Sequence, residues 1–179
     1  MKIVKNTILA SMLIAGLGST AIADNLEEGS GKFAGLTWSP NTNDGTIEGY
    51  EFDGSGMLGF LGGNKKLITD SVGGYFDFDM SYETVDETDT SKKVIYSYTI
   101  ANLGITYSPI DNLTLFGGIG YTWEKGKYTY YGTNYESDED HNQINFHLGT
   151  MYKITDTFGL VVGYNTAPSA INYGFSVEF

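Results

Sequence analysis

Four carboxylates head the residues whose type and spacing could do chemistry. Glu51 and Asp53 stand two apart, as do Asp77 and Asp79. Residues two apart in an extended chain share a face, so each pair aims both carboxyls to one side. A hairpin turning near residues 61–66 would set the two pairs at similar heights. Carboxylates that close, away from water, cannot all stay charged without protons, lysines or a cation. One reading is a cation site, or a cation-favouring constriction, built from hard oxygen ligands. The other is a mixed network in which some carboxyls protonate and others meet lysine or water. Spacing without a fixed turn is a weak metal signal, so the mixed network is the expectation and no metal site is assigned. His141 and His147 are six apart on one face, too distant to chelate one ion from a single strand. They read as inward hydrogen-bonding groups, with Lys153 further along the same face.

Two acidic runs stand apart from these: Asp86, Glu87 and Asp89, and then Glu136, Asp138, Glu139 and Asp140. Both fall in polar stretches that read as solvated loops with a capacity for divalent cations. Tyr128, Tyr130, Tyr131 and Tyr135 flank the second run and offer a contact surface or a brace for a protruding hairpin. With no cysteine in the chain, thiol nucleophiles, thiolate metal sites and disulfides are excluded.

The elements that position these groups begin after a leader. Lys2 and Lys5 precede an apolar run from Ile8 to Leu17, and the small-residue pattern Ala21, Ile22, Ala23 precedes Asp24. That order is a secretory signal peptide, so residues 1–23 are expected to be removed, leaving one domain at 24–179. The mature part holds eight lysines and no arginine against 22 carboxylates, a formal charge of −14. Such a balance argues against nucleic acid as a partner. After Ala23 no apolar stretch is long enough to cross a membrane as a helix, so a membrane role requires a closed barrel.

Strand-like segments recur at 32–39, 46–60, 67–83, 93–107, 113–124, 140–153, 158–166 and 170–179. The connections 61–66, 108–112 and 154–157 are short, whereas 39–46, 84–92 and 125–139 are longer and polar, although 167–169 is brief. Short turns on one side and long loops on the other are the arrangement of outer-membrane barrels. Side chains alternate with period two: Leu113, Leu115, Ile119, Tyr121 and Trp123 oppose Thr114, Gly118, Gly120 and Thr122. Likewise Ile144, Phe146, Leu148 and Tyr152 oppose His141, Gln143, Asn145, His147 and Lys153.

Alternation alone does not choose between lipid and water, but residue size does. The bulky faces are aromatic and aliphatic, whereas glycine, small residues and charge dominate the others. Glycine-lined faces could not fill the core of a soluble barrel, while the narrow interior of an eight-stranded membrane barrel suits them. Aromatics also fall at both strand ends, with Trp38, Tyr50, Tyr82, Trp123 and Tyr164 near the loops and Tyr107, Tyr152, Phe158 and Phe179 near the turns. Two such bands are expected at the two interfaces of a bilayer. The fold expected is therefore all-β, an eight-stranded antiparallel up-and-down transmembrane β-barrel. One segment breaks parity: Tyr96, Tyr98 and Ile100 against Leu103, Ile105 and Tyr107, which suggests a bulge near Ala101 or a large inward tyrosine pair.

Two motifs carry a family likeness. The chain ends Tyr173, Gly174, Phe175, Ser176, Val177, Glu178, Phe179, alternating apolar residues that close on a terminal phenylalanine. Earlier, Tyr107, Ser108, Pro109, Ile110, Asp111, Asn112, Leu113, Thr114, Leu115 reads as strand, tight turn and returning strand. Both resemble the small eight-stranded outer-membrane barrels, a group that includes the OmpA transmembrane domain, OmpX and the opacity proteins. The resemblance implies a Gram-negative outer membrane, contact with its lipid and lipopolysaccharide, and assembly by the insertion machinery. Tyr173, Phe175, Val177 and Phe179 would then be the assembly signal. This chain departs from OmpA in having no arginine for a guanidinium pair inside the barrel.

Family membership of this kind does not fix function. Barrels that hydrolyse lipid acyl chains place a histidine two residues before a serine, but here Gln143 follows His141 and Gly149 follows His147. The leading expectation is a non-enzymatic barrel, with no cofactor, that acts structurally and through acidic outer loops. A narrow cation-preferring channel is second, and a lipid-modifying enzyme third.

Overall fold

The computed structural model describes residues 31–42, 45–47, 50–52, 55–81, 84–89, 92–130, 133–136 and 142–179. The expected signal peptide, Asp53, Tyr82, Tyr131, Asp138, Glu139, Asp140 and His141 lie outside these residues. Twelve strands are formed among the described residues: β1 (Lys32–Thr42), β2 (Gly45–Ile47), β3 (Tyr50–Phe52), β4 (Ser55–Asn64), β5 (Val72–Ser81) and β6 (Thr84–Asp89) come first. Then follow β7 (Lys92–Ile110), β8 (Leu113–Tyr130), β9 (Thr133–Glu136), β10 (Gln143–Lys153), β11 (Phe158–Asn165) and β12 (Ala170–Glu178).

Eight of them close an antiparallel ring in the order β1, β4, β5, β7, β8, β10, β11, β12 and back to β1. The seam pairs Phe33 with Glu178 through to Trp38 with Tyr173. Closure removes every edge within the ring, the only way a sheet can satisfy its backbone in lipid. No helix among the described residues is long and apolar enough to cross a membrane.

The short turns gather at the end that also holds Lys32 and Glu178, the periplasmic end of such barrels. Asp111 and Asn112 alone link β7 to β8. Just before them the register slips between Tyr107 and Ile110, at Pro109, which has no amide to give to a ladder. At the next turn Thr155 Oγ1 accepts the amides of Thr157 and Phe158, at 3.3 and 3.0 Å.

Three expectations need correction. Residues 46–60 do not form one strand: β2 and β3 pair with each other as a separate two-stranded sheet, and the barrel strand begins at Ser55. The turn after β4 covers residues 65–71 rather than 61–66, because Gly62 and Gly63 still pair with Phe76 and Tyr75. There is no bulge at Ala101, since β7 and β8 stay in register from Lys92 opposite Tyr130 to Tyr107 opposite Leu115. Ile100 instead points inward, fully buried.

The outward faces follow the period-two reading. Leu103 and Phe175 are each 69% exposed, and Leu115, Ile119, Ile144, Phe146, Leu148, Leu160, Val162, Ile171 and Tyr173 are exposed with them. In water so large a continuous apolar surface would drive aggregation; in a bilayer it is the solvated surface. Trp38 meets Tyr173 edge-on at 5.5 Å and Tyr121 meets Trp123 at 5.1 Å, both toward the loop end.

Candidate functional site

The interior is layered along the barrel axis, because each strand supplies inward residues in the same order. On the periplasmic side Phe33, Leu61, Tyr75, Phe116, Met151 and Val161 form one buried apolar cluster. On the loop side Met57, Ile100 and Ala170 form another. Between them lies a polar belt made of Asp77 and Asp79 from β5, Asn102 from β7, Asn145 and His147 from β10, Asn165 from β11 and Asn172 from β12, all buried.

Asn102 and Asn165 are the hubs of the belt. Asn102 Nδ2 donates to Asp77 Oδ2 at 2.8 Å and to Asn165 Oδ1 at 3.1 Å. Asn165 Nδ2 donates to Asp79 Oδ2 at 2.9 Å. Asn145 Nδ2 reaches Asn165 Oδ1 at 2.6 Å and Asn102 Oδ1 at 2.8 Å. His147 sets Nδ1 3.3 Å from Asp77 Oδ2 and Nε2 3.3 Å from Asn172 Nδ2. Glycines make the room: a Cβ at Gly163 would overlap Asn172 Oδ1 and His147 Nε2, and one at Gly120 would overlap Asn102 Oδ1. Each neutral bond of this kind contributes a net of about 0.5–1.5 kcal/mol, while leaving a buried partner unmatched costs about 1–3 kcal/mol.

The belt also fastens the loop-end turn between β11 and β12. Asn145 Oδ1 accepts the Ala167 amide at 2.9 Å, and Thr166 Oγ1 accepts the Phe146 amide at 2.8 Å. Pro168 is buried beneath this turn, and Ser169 completes it with φ of 51°. The turn therefore folds over the barrel mouth.

Glu51 does not join Asp77 and Asp79, and Asp53 lies outside the described residues. Register places Gly59 opposite Asp79 and Leu61 opposite Asp77, while Glu51 sits in the separate β2–β3 pair opposite Thr46. The shifted turn is the reason, since moving it by a few residues re-pairs the whole strand. Asp77 and Asp79 remain together. Lys153 is at the periplasmic mouth rather than in the belt, 3.7 Å from Glu178 Oε2, which also pairs with Lys65. A water-sized cavity of about 20 Å³ lies there, lined in part by Lys65, Lys153 and Glu178. Tyr75 and Asn102 were not singled out from sequence, although inward parity opposite Leu103 and Phe76 was signal enough.

This packing bears on the alternatives. Among the described residues the apolar clusters stand on either side of the belt, with the buried hydroxyls of Thr106, Thr114 and Thr122 also inside the ring. His147 is 1% exposed and faces Asp77, Asn172 and Tyr75 rather than lipid. On β12, Tyr173 and Phe175 lie exposed on the lipid face, while Val177 and Phe179 are half-buried.

Comparison with known proteins agrees with this geometry. The crystal structure of Ail, the attachment invasion locus protein of Yersinia pestis, in complex with the heparin analogue sucrose octasulfate superposes with a TM-score of 0.61 at 12% identity, covering 82% of this chain and 94% of that one. The backbone structure of Yersinia pestis Ail in a phospholipid bilayer nanodisc gives 0.55 at 13% identity, over 83% and 99%. Neisserial surface protein A gives 0.50 at 12% identity, over 84% and 98%. At these identities the likeness is one of fold. No curated protein matches the sequence. The profile of the outer membrane protein beta-barrel domain matches residues 8–176. The match spans most of the chain, and with a closed ring of eight strands whose outer face is apolar, the chain belongs to the outer membrane protein beta-barrel family, as an integral protein of the outer membrane.

Proposed function

We propose that this protein is a non-enzymatic anchor that displays a β-sheet above the outer membrane for surface contacts. The observation that carries the reading is the length of β7 and β8, 19 and 18 residues. A membrane-spanning strand needs only about 9–11. Beyond the Thr99 and Trp123 pair the two strands stay zipped to Lys92 and Tyr130. They gain β6 on one side and β9 on the other, making a four-stranded sheet outside the ring. The closed ring gives the rigid base, and the sheet carries tyrosines and acidic residues.

The acidic runs around Asp86 and Glu136 suit divalent cations shared with lipopolysaccharide phosphates. The carboxylate balance opposes polyanions taken up without such a bridge. The sulfated ligand seen with Ail is therefore expected to bind this chain weakly. The export signal at 1–23 and recognition of Tyr173, Phe175, Val177 and Phe179 by the assembly machinery belong to the same proposal.

The test uses the protein in nanodiscs and purified lipopolysaccharide. Calcium is expected to give saturable retention that is lost in a variant joining Met80 to Thr99 and Thr122 to Gln143, paired residues of the ring, each through an Asn-Gly turn, which removes the outer sheet but keeps the ring. Equal retention by the trimmed variant would overturn display by the sheet. Altered lipid A masses in cells expressing the protein would overturn the non-enzymatic part.

A further inference from the structure

The belt has one feature that its own hydrogen bonds leave unanswered. Asp77 and Asp79 use their Oδ2 atoms for Asn102 and Asn165. Both Oδ1 atoms are buried without a partner. The two carboxyl groups lie within hydrogen-bonding reach of one another, two residues apart on the inward face of β5. A further oxygen approaches Asp79 independently from another strand. Thr37 on β1 is 2% exposed and its Oγ1 has no partner. It converges with Asp79 Oδ1 on the hollow above Gly59, which a Cβ would fill.

His147 lies between Asp77 and Asn172, and a neutral ring with its proton on Nδ1 would satisfy both contacts, accepting from the Asn172 amide and donating to Asp77. Tyr75, the other titratable group facing the pair, brings no positive charge. Lys65 and Lys153 are engaged with Glu178 at the periplasmic mouth. Asparagine amides donate to carboxylates but cannot neutralise them, and two like charges in a dry interior repel strongly. Among the described residues no three carboxylate or imidazole groups converge as a transition-metal set. The free donors are carboxylate and hydroxyl oxygens, the ligands of hard cations.

We propose that the barrel interior holds one hard cation, of the sodium or calcium class, ligated by Asp77 Oδ1, Asp79 Oδ1 and Thr37 Oγ1. The cation ties β5 to β1 at the centre of the ring and balances the two carboxylates. Its role is structural, and it is separate from divalent ions at the outer loops.

The experiment refolds the full chain into detergent micelles with tetramethylammonium chloride, sodium chloride or calcium chloride at matched ionic strength. Urea midpoints are then read. Sodium or calcium is expected to raise the midpoint saturably where tetramethylammonium does not, and the arm that responds identifies the ion. Asp79→Asn is expected to abolish the response and Glu51→Gln, in the loop-side sheet, to retain it. Thr37→Val removes a ligand without changing charge, and is expected to shift the half-saturating concentration several-fold upward. It serves as the deciding variant if Asp79→Asn does not fold. Identical wild-type midpoints in all three salts would mean that a shared proton balances the pair, overturning the proposal. A full response in Asp79→Asn or Thr37→Val would place the cation elsewhere and overturn it equally.

Discussion

Replacing Leu148 by arginine is expected to destabilise the protein in lipid vesicles by about 2–4 kcal/mol, the cost of a basic side chain near the middle of a barrel's lipid face. Leu148 is exposed on β10, opposite Gly117 of β8 midway along that ladder and opposite Tyr164 of β11 toward its loop end. On a water-facing surface the same change would stay within about 0.5 kcal/mol. Equilibrium unfolding by urea in vesicles separates the two cases. A near-zero effect would show that this face does not meet hydrocarbon.

Phe116→Ala is expected to cost about 3–5 kcal/mol, the range for truncating a buried phenylalanine. Its ring lies 5.2 Å from Tyr75 and 5.0 Å from His147, so it is both the centre of the periplasmic-side cluster and the floor of the polar belt. Truncation removes those ring contacts and opens a cavity bordered by imidazole and phenol, which water can enter and thereby recover part of the loss. The same unfolding measurement reads it, with Phe146→Ala as the comparison. Phe146 is exposed on the lipid face, so its truncation leaves no internal cavity and is expected to cost markedly less.

Much of this arrangement is written in the chain because a barrel in lipid imposes one rule on every strand. Period-two alternation located the ring strands from residue 113 onward and assigned Leu115, Phe146, Val162 and Phe175 to the outside. The interior was harder to read. Phe116 stands between Leu115 and Gly117 on a face otherwise made of threonine and glycine. Nothing local says that such a ring fills the lumen; that follows only once Tyr75, Met151 and Val161 are brought around it by closure.

The acidic grouping failed for a related reason. Whether Asp77 meets Asp53 or Leu61 depends on where the chain turns, and Gly62 and Gly63 looked like turn residues although they are paired strand residues. A glycine in a strand marks close approach as readily as a bend. The break in parity at Ile100 was also real, but its cause is burial beside Met57 and Ala170, not a bulge. The sheet outside the ring was hidden because polar, acidic strands carry no alternation of hydrophobicity to betray them.

The absence of cysteine allows the inside-out pattern to be measured directly. Single cysteines placed at consecutive positions 144–148 and 160–162, labelled with a fluorophore and assembled into bilayers, report contact with a quencher carried on lipid acyl chains. Strong quenching at 144, 146, 148, 160 and 162 with little at 145, 147 and 161 is the predicted result. Quenching in the opposite phase, or at none of these positions, would contradict a barrel whose apolar side chains face lipid.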